Sequence, residues 1–532
     1  MKKINAILMA SMMTASMLGA TACGDKKPDN VTADKYSITV ACQTEMGEEE
    51  VLKVLKKAYE AKYPDREIIV KTFSGEGFEQ YMLGIASDKG SSPNIIWTCD
   101  TLHSQWDQYF IDLRPYYEQS AETDYSLFYE TMLDAASTNG YFKPTKNYTG
   151  SFRSDDLDAN SDGKESNKNY SPYGLYYAPR DYNKPAILCN THLFAELDKE
   201  YEMVYKKVAG VAEMPADYVT TSARLAAIVA GNDWDEMTDL YAFARMIAER
   251  MVYIINNEKD DRDIPTKWSQ RAALNLFVEW EPTYTTLMND MGVDLIGDDG
   301  SLNIAPVEKF KALHDGLFPQ DNEEVAGVMT TTNDGISFSS GKLFMTVCSR
   351  PVVLGYGDTF RQVYGDTHLE TIQFPVKDIA AGNSGYAISR VWEGKGVTVN
   401  GVYKSYSEIS WDFIKYIITE EGQEVAGQTG LNIPVLKKLY SKDTNGGVEP
   451  AWRKVENLGN MSHDAWVAGG ELRQDTFNIF KVEKRAAFRN EVRTFFVNMQ
   501  KAGYNAKNGT IEELIDSTVK SYNLQKPSGN LR

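Results

Sequence analysis

Histidine and cysteine, the side chains that most often bind zinc, are scarce in this chain. The 532 residues include 5 of each, and none of them has the HExxH or CxxC spacing. A zinc hydrolase is therefore not expected. The chain also lacks a GxSxG elbow, a GxGxxG fingerprint and a GxxxxGKS/T loop, which are the turns that build a hydrolase nucleophile, a dinucleotide site and a nucleotide-phosphate site.

Basic residues are in deficit as well. The chain has 56 lysines and arginines against 75 aspartates and glutamates, which gives a formal net charge of −19. A protein that binds nucleic acid through its phosphates needs the opposite sign, so no nucleic-acid partner is expected. The hydrophobic content of 42% is enough for more than one folded core.

Long hydrophobic runs are missing except at the N-terminus. Lys2 and Lys3 precede an apolar stretch over 4–22 that is short and rich in Met, Ala and Ser. This pattern predicts a secretory signal peptide over 1–22. No later stretch approaches the ~18 consecutive apolar residues that a transmembrane helix needs.

The end of the signal peptide contains small residues directly before a cysteine. The letters LGATAC at 18–23 resemble a bacterial lipobox, in which Cys23 is acylated and becomes the new N-terminus. Ordinary cleavage that leaves a free Cys23 is the alternative. The polar residues 23–34 have the composition of a flexible tether. We therefore predict a lipid-anchored protein on the extracellular face of the bacterial cell membrane, which contacts the membrane only through its anchor.

Behind the tether, the apolar pattern switches between the periods of a strand and of a helix. Strand-like alternation at 37–42, 67–73 and 94–98, with amphipathic stretches between these segments, predicts a β-α-β-α-β unit. Such a unit forms a parallel sheet with helices on both faces, and ligands meet the loops at the carboxyl ends of the strands. These loops are 43–47, 74–77 and 99–105.

Later segments carry further structural signals. Ser405 and Glu408 have the spacing of a capping box at the start of a predicted helix over 408–419. Trp411 falls in register with Ile414 and Ile418 on this helix and is predicted to lie in the core. The remaining cysteines lie in or beside apolar segments and are interpreted as buried thiols, although one disulfide bridge is an open alternative. They are Cys42, Cys99, Cys189 and Cys348.

Six short motifs occur in a specific order along the chain. They are SPNII at 92–96, AP at 178–179 with CN at 189–190, DWDEM at 233–237, FSSGKLFM at 338–345, TEEGQ at 419–423 and TGLNIP at 429–434. In this order, behind a lipobox, they resemble the family 1 extracellular solute-binding proteins of ABC importers. These are sugar-binding lipoproteins related to the maltose- and alginate-binding proteins, and the resemblance covers most of the mature chain.

The resemblance implies an α/β fold with two lobes, the type II periplasmic-binding-protein fold. Each lobe would contain a mainly parallel sheet flanked by helices, with a hinge between the lobes. By this likeness the first lobe takes residues 35–144 and 381–436, and the second takes 145–380 and 437–532.

The function that this likeness implies is capture rather than catalysis. A monomer would bind a carbohydrate, an oligosaccharide, by closing its hinge, and would deliver it to the permease subunits of an ABC transporter. Two alternatives stay open from the sequence. One is a secreted glycosidase with paired carboxylates, and the other is an adhesin or surface scaffold without a small ligand.

Sugar sites need aromatic rings for stacking and carboxylates or amides for paired hydrogen bonds, and the chain contains 9 Trp and 31 Tyr. Trp97 and Asp100 end the third predicted strand, and Glu45 follows the first, so these three are predicted to bind the ligand. Core packing is the alternative for Trp97, and helix capping is the alternative for Glu45.

Other candidates rest on the family resemblance. Asp181 and Asn183 lie where the maltose-binding relatives place a hinge-side carboxylate, and Arg350 stands near a position where the family has a Trp. Arg350 either meets an acidic sugar or pairs with a carboxylate of the protein. A Glu-Pro-Tyr stretch of the relatives and their C-terminal stacking Trp suggest further ligand contacts, which are Trp280, Glu281, Tyr284, Trp452 and Trp466.

The letters DANSDGK at 158–164 place oxygen side chains at alternate positions before a glycine, which is the opening of a calcium loop. The alginate-binding relatives carry a similar loop. At its twelfth position Asn169 replaces the usual bidentate Glu, so we expect a weakly bound structural calcium ion. A solvated polar insertion is the alternative. The predicted ligands are Asp158, Asn160, Asp162, Lys164, Ser166 and Asn169.

Overall fold

The computed structural model describes most of the chain. The described residues are 31–44, 47–87, 92–100, 102–103, 106–163, 170–231, 234–258, 263–276, 280–292, 329–330, 338–349, 363–364, 369–455, 475–478, 494 and 510–524. Among them, no helix combines the length and the apolar character that crossing a membrane requires. The predicted signal peptide and Cys23 lie outside this set.

Strands and helices alternate along the described residues. The strands are β1 Val31–Ala33, β2 Tyr36–Gln43, β3 Arg66–Phe73, β4 Ile95–Cys99, β5 Ala178–Pro179, β6 Pro185–Asn190, β7 Ala272–Asn275, β8 Met329–Thr330, β9 Leu343–Ser349, β10 Leu369–Ile372, β11 Asp378–Ala381, β12 Ser384–Ile388, β13 Gly396–Val399, β14 Val402–Ser405 and β15 Asp475–Asn478. The helices are α1 Glu48–Lys62, α2 Gly75–Ser87, α3 Arg114–Tyr117, α4 Glu130–Ala135, α5 Thr191–Ala209, α6 Thr221–Val229, α7 Met237–Asn257, α8 Asp263–Ser269, α9 Glu281–Asp290, α10 Tyr406–Ile418, α11 Glu420–Gly427 and α12 Ile511–Leu524.

Two five-stranded sheets organise the described part of the fold. The first has the order β3-β2-β4-β12-β5, and only β12 runs against its neighbours. The second has the order β10-β6-β9-β7-β8, and only β6 is reversed. Four strands of each sheet therefore point the same way, which confirms the predicted α/β class with mainly parallel sheets. Two small sheets, β1-β13-β14 and β11-β15, accompany them.

The local signals in the sequence account for the helices that pack on the first sheet. Helix α1 buries Val51, Leu52, Leu55 and Tyr59 on one side, and three glutamates occupy its first turn, where the helix dipole favours negative charge. At the start of α10, Ser405 Oγ accepts from the Glu408 amide at 3.2 Å. The Glu408 carboxylate accepts in return from the Ser405 amide at 2.7 Å, so the predicted capping box is confirmed.

The buried apolar side chains form two separate cores. One core surrounds the first sheet and includes Trp411, and the other surrounds the second sheet. Trp234 packs against the second core, and its indole donates to the Gln373 carbonyl at 2.7 Å. Three of the predicted buried thiols are buried and unbridged, and Cys99 is unbridged and partly buried.

The chain passes between the two cores twice in the described residues. Tyr182 belongs to the first core and Ile187 to the second, and the chain returns between Ile379 in the second core and Ala381 in the first. We call residues 180–184 and 381–384 the crossing segments. The strand that follows each of them, β6 or β12, is the reversed strand of its sheet.

The boundaries predicted for the lobes stay predictions. Tyr148, Phe152 and Tyr177 follow the predicted boundary at residue 144, yet they pack with the first core. The first core therefore includes residues beyond 144, up to the first crossing segment.

Gly385 allows β12 to lie close to β5. A Cβ atom at this position would stand 2.0 Å from the carbonyl oxygen of Ala178, so we expect Gly385→Ala to destabilise the protein by about 1–3 kcal/mol. Gly84 in α2 is the matched control, because a Cβ there meets no atom within 4 Å. Gly84→Ala should stabilise by up to ~1 kcal/mol. Urea denaturation measures both, and equal effects would contradict the pairing of β5 with β12.

Candidate functional site

The two crossing segments lie side by side and are joined by backbone hydrogen bonds. The Asn183 amide donates to the Gly382 carbonyl at 2.8 Å, and the Gly382 amide donates to the Asn183 carbonyl at 2.7 Å. A third stretch of chain joins them, because the Tyr182 amide donates to the carbonyl of Ile433 at 3.0 Å. The two crossing segments therefore form a narrow, hydrogen-bonded ribbon between the two cores, which is the candidate hinge.

A buried arginine holds this ribbon to the first core. Arg180 is 2% exposed, and its guanidinium lies 2.6 Å from the Glu48 carboxylate and 2.7 Å from that of Asp181. It also donates to the side-chain oxygen of Asn432 at 2.5 Å. The hydroxyl of Tyr386 donates to the other Glu48 oxygen. One side chain thus connects the start of α1, the first crossing segment and the chain after α11.

The burial of Glu48 has an electrostatic consequence. Desolvation raises the pKa of its carboxyl group, while the charge of Arg180 and the hydrogen bond from Tyr386 act in the opposite direction. The pKa remains above its ordinary value, because burial outweighs the cation and the hydroxyl that contact the carboxyl group.

Three predicted ligand-binding residues meet at the crossing segments. Asp181 accepts from the amide of Ser384 at 2.7 Å and from its hydroxyl at 3.0 Å. Asp100, at the end of β4, accepts from the Asn383 amide at 3.2 Å. Asn183 lies in the first crossing segment, and its side-chain oxygen is buried and has no hydrogen-bond partner within the described part of the chain. The structure therefore brings Asp100, Asp181 and Asn183 together at the carboxyl edge of the first sheet.

Aromatic side chains line the same edge. Trp97 pairs in register with Tyr386 and packs edge-on against Phe78 at a ring-centroid distance of 5.7 Å. Trp97 is 3% exposed, so its ring faces are covered, but its buried indole N–H has no hydrogen-bond partner among the residues that the structure describes. Phe73 and Tyr81 are only partly buried and stack at 4.2 Å.

Phe73 and Tyr81 were missed by the sequence reasoning. Phe73 is the last residue of β3 and directly precedes loop 74–77, which was predicted to face the ligand. An aromatic residue at the carboxyl end of a predicted strand was therefore the signal in the sequence that could have identified Phe73 as a ligand-binding candidate. The Arg180 network was also missed, because Glu48 and Asn432 are far from Arg180 in sequence.

Other predicted residues lie away from this edge. Trp280 and Tyr284 are 7% and 0% exposed at the start of α9, within the second core. This helix contacts the chain just before the second crossing segment, where the Ala380 amide donates to the Thr286 hydroxyl at 3.0 Å. Trp452 is fully buried, and its indole donates to the Leu439 carbonyl at 2.9 Å. These three rings present no open face for stacking.

Several predictions fall outside the residues whose side chains are described, and they stay predictions. They are Glu45, Glu281, Arg350, Trp466, Lys164, Ser166, Asn169 and Cys23.

In the described part of the predicted calcium loop, the first predicted ligand, Asp158, pairs with a cation of the protein itself, Arg114. Asp158 is 3% exposed, and one of its oxygens lies 3.0 Å from the Arg114 guanidinium and accepts from the Ser171 hydroxyl at 2.7 Å. Its other oxygen accepts from the Asn160 amide at 3.1 Å. Both oxygens that a calcium ion would use are thus engaged. Within the described residues, no group of three or more His, Cys, Asp or Glu side chains has the arrangement of a metal site.

Solved structures of binding proteins share this fold. The ABC substrate-binding protein Lmo0181 from Listeria monocytogenes, in complex with cycloalternan, has a TM-score of 0.55 at 13% identity, covering 92% of this chain and 99% of its own. The GacH receptor of Streptomyces glaucescens, solved in the unliganded form and in complex with acarbose, has a TM-score of 0.53 at 13% identity. The match covers 92% of this chain and 99% of the receptor. The sugar-binding protein MalE from Xanthomonas citri has a TM-score of 0.52 at 13% identity. The match covers 92% of this chain and 98% of MalE. No protein-family model and no curated protein matches the chain.

The chain has the two-lobed type II fold of these binding proteins. This agreement confirms the predicted fold class, and it extends over nearly the whole length of each neighbour. In this binding-protein fold the two cores are the lobes, and the crossing segments are the connection between them.

Arg180→Met tests whether the buried network holds the connection. Without the guanidinium, Glu48 and Asp181 would face each other without a cation, so we expect a loss of about 3–5 kcal/mol. Adding Glu48→Gln to this variant should recover part of the loss, because one buried charge disappears. Arg245→Met, at a half-buried arginine of α7, is the control and should change stability by less than ~1 kcal/mol. Thermal denaturation compares them, and a stable Arg180→Met variant would contradict the role of the network.

Asp158→Asn gives a pH-dependent test of the loop. Burial raises the pKa of Asp158, but the hydrogen bonds from Ser171 and Arg114 and the charge of Arg114 outweigh it, and the pKa is lowered overall. The carboxylate therefore stabilises the fold above the unfolded-state pKa of about 3.9, and this contribution is lost as the pH falls through the lowered value.

We expect the Asn variant to be about 1–3 kcal/mol less stable than the wild type at neutral pH and to approach it in strong acid. The exposed Asp155→Asn is the control and should change stability at neutral pH by less than ~0.5 kcal/mol. Denaturant titration at several pH values measures both. A destabilisation by Asp158→Asn that persists unchanged in acid would contradict the assignment.

Proposed function

We propose that this protein is an extracellular, lipid-anchored solute-binding protein of an ABC importer, and that its ligand is a carbohydrate, an oligosaccharide. The proposal is carried by one observation, which is two α/β lobes joined by a narrow hydrogen-bonded ribbon at the carboxyl edge of a mainly parallel sheet. Ligands of open α/β sheets bind at that edge. The fold neighbours in complex with cycloalternan and acarbose support a sugar as the ligand.

The proposed mechanism is closure without chemistry. The sugar docks on one lobe, the crossing segments bend, and polar groups from both lobes replace the water around the sugar. Asp100, Asp181 and Asn183 supply carboxylate and amide groups, and Phe73 and Tyr81 supply aromatic faces for the C–H surface of the sugar. The closed form is then recognised by the permease subunits, while the Cys23 anchor keeps the protein at the membrane.

The unpartnered indole N–H of Trp97 supports the position of the site. A buried donor without an acceptor costs about 1–3 kcal/mol, and this cost is offset if a ligand hydroxyl accepts the hydrogen bond. Core packing, the alternative prediction for Trp97, accounts for its buried ring. It does not account for the buried N–H group.

Trp97→Phe keeps an aromatic ring but removes this donor and part of the indole volume, so we expect affinity for the cognate sugar to fall about two- to tenfold. The variant should also lose some stability, because the smaller ring leaves a cavity at a side chain that is 3% exposed. Trp392→Phe is the matched control, since its indole donates to the Ser92 carbonyl at 2.9 Å, beside the amino end of β4. That variant should lose stability and keep its affinity.

Calorimetric titration with neutral, cyclic and uronic-acid oligosaccharides identifies the sugar and measures these affinities. The proposed function predicts saturable binding and recovery of the unaltered sugar. Release of shorter sugars would indicate a glycosidase, and the absence of binding to any sugar would contradict the proposal.

A further inference from the structure

A groove of about 730 Å³ lies on the first lobe, between the end of α1, strand β14 and the α10–α11 junction. We call it the basic groove. Its charged residues are Lys62, Arg66, Glu122, Lys404, Asp412, Lys415, Glu420, Glu421, Lys437 and Lys438. Three tyrosines, Tyr59, Tyr63 and Tyr416, also line it.

The basic groove is distinct from the crossing segments. Helix α1 begins with Glu48, which binds Arg180 at the crossing, and ends with Lys62, which lines the groove. Its 15 residues span about 21 Å at a rise of about 1.5 Å per residue. A ligand in the groove therefore occupies a different site from the proposed sugar.

The charge of the groove is opposite to that of the protein. Six basic side chains face four acidic ones, an excess of two positive charges, in a chain whose net charge is −19. Asp412 is shared, at 2.9 Å from Arg66 and 3.0 Å from Lys404. Lys437 donates to the Ser126 carbonyl at 3.1 Å and pairs with no carboxylate among the described residues. Arg66 also lies 3.5 Å from the carboxylate of Asp65, which is outside the groove lining. The basic residue of the groove without a carboxylate partner among the described residues is therefore Lys437.

Two groove residues are built into the fold rather than carried on its surface. The Arg66 side chain is 9% exposed, and its guanidinium stacks over the Tyr36 ring at 4.4 Å. Tyr416 is 5% exposed, and its hydroxyl is buried without a hydrogen-bond partner in the described part of the chain. A buried hydroxyl of this kind is a donor in need of an acceptor.

We propose that the basic groove binds a phosphate group. A phosphate group carries negative charge that complements the basic side chains of the groove, and its oxygens accept hydrogen bonds from lysine, guanidinium and tyrosine donors. Exposed ion pairs are worth about 0–1 kcal/mol each, so the ligand can displace a carboxylate partner at little cost.

Two sources of phosphate are compatible with this chemistry: a free phosphate compound and a lipid headgroup. The position of strand β1 favours a lipid headgroup. This strand, the first one described, pairs with β13 in the small sheet that also contains the groove strand β14. The Tyr36 hydroxyl donates to the Val402 carbonyl of β14 at 2.9 Å. Chain arriving from a membrane would therefore reach the protein beside the groove.

The first experiment is a calorimetric titration of the full chain with inorganic phosphate, with chloride at equal ionic strength as the reference. We expect saturable binding that weakens at high salt. Lys437→Gln should lower the affinity about tenfold, and Tyr416→Phe should lower it while leaving the melting temperature unchanged. Lys57→Gln, at an exposed position on the same helix α1, is the control and should bind as the wild type does.

The second experiment distinguishes the sources by sedimentation with phosphatidylcholine vesicles with and without phosphatidylglycerol. Because all variants carry the same N-terminus, a difference between them arises in the groove. Loss of phosphatidylglycerol-dependent sedimentation in Lys437→Gln assigns a lipid headgroup, and phosphate binding without that dependence assigns a soluble phosphate compound. The absence of saturable phosphate binding, or equal losses in Lys437→Gln and Lys57→Gln, would overturn the proposal. Sugar affinity is unaffected by either result.

Discussion

The buried guanidinium of Arg180 is the constraint on which the rest of the structure depends. It contacts two carboxylates and an amide from three distant parts of the chain. A buried charge of this kind is tolerated only when its partners are held in place, so the start of α1, the first crossing segment and the chain after α11 must all converge there. The ribbon between the lobes is therefore attached to the first lobe through a buried, hydrogen-bonded network.

This attachment gives the proposed sugar site its architecture. Asp181 takes part in the Arg180 network and also fixes Ser384 at the start of β12, while Asp100 fixes the neighbouring Asn383. The polar groups at the carboxyl edge are therefore preorganised on one lobe. In the proposed mechanism, the second lobe adds its contacts when the ribbon bends. Preorganisation of these groups on the first lobe reduces the conformational entropy that is lost when the ligand binds. In the proposed mechanism, the movement is then confined to the crossing segments.

The sequence predicted best what local pattern determines. Alternation and helical periodicity located β2, α1 and α10, and the Ser405–Glu408 spacing located a helix start, because each signal lies within a few residues. The Arg180 network escaped because Glu48 has an ordinary local explanation, favourable interaction with the helix dipole, and nothing nearby indicates its distant partner. Trp452 was predicted to stack on ligand, but its indole finds the Leu439 carbonyl in the interior. Composition does not reveal which aromatic rings other chain segments will cover.

The central claim is that sugar binding closes two lobes about the crossing segments. Small-angle X-ray scattering of the full chain, with and without a saturating oligosaccharide identified by calorimetry, tests this claim most directly. The account predicts a smaller radius of gyration in the sugar complex, with the sugar unaltered afterwards. An unchanged radius of gyration in a solution where the sugar is fully bound would contradict it.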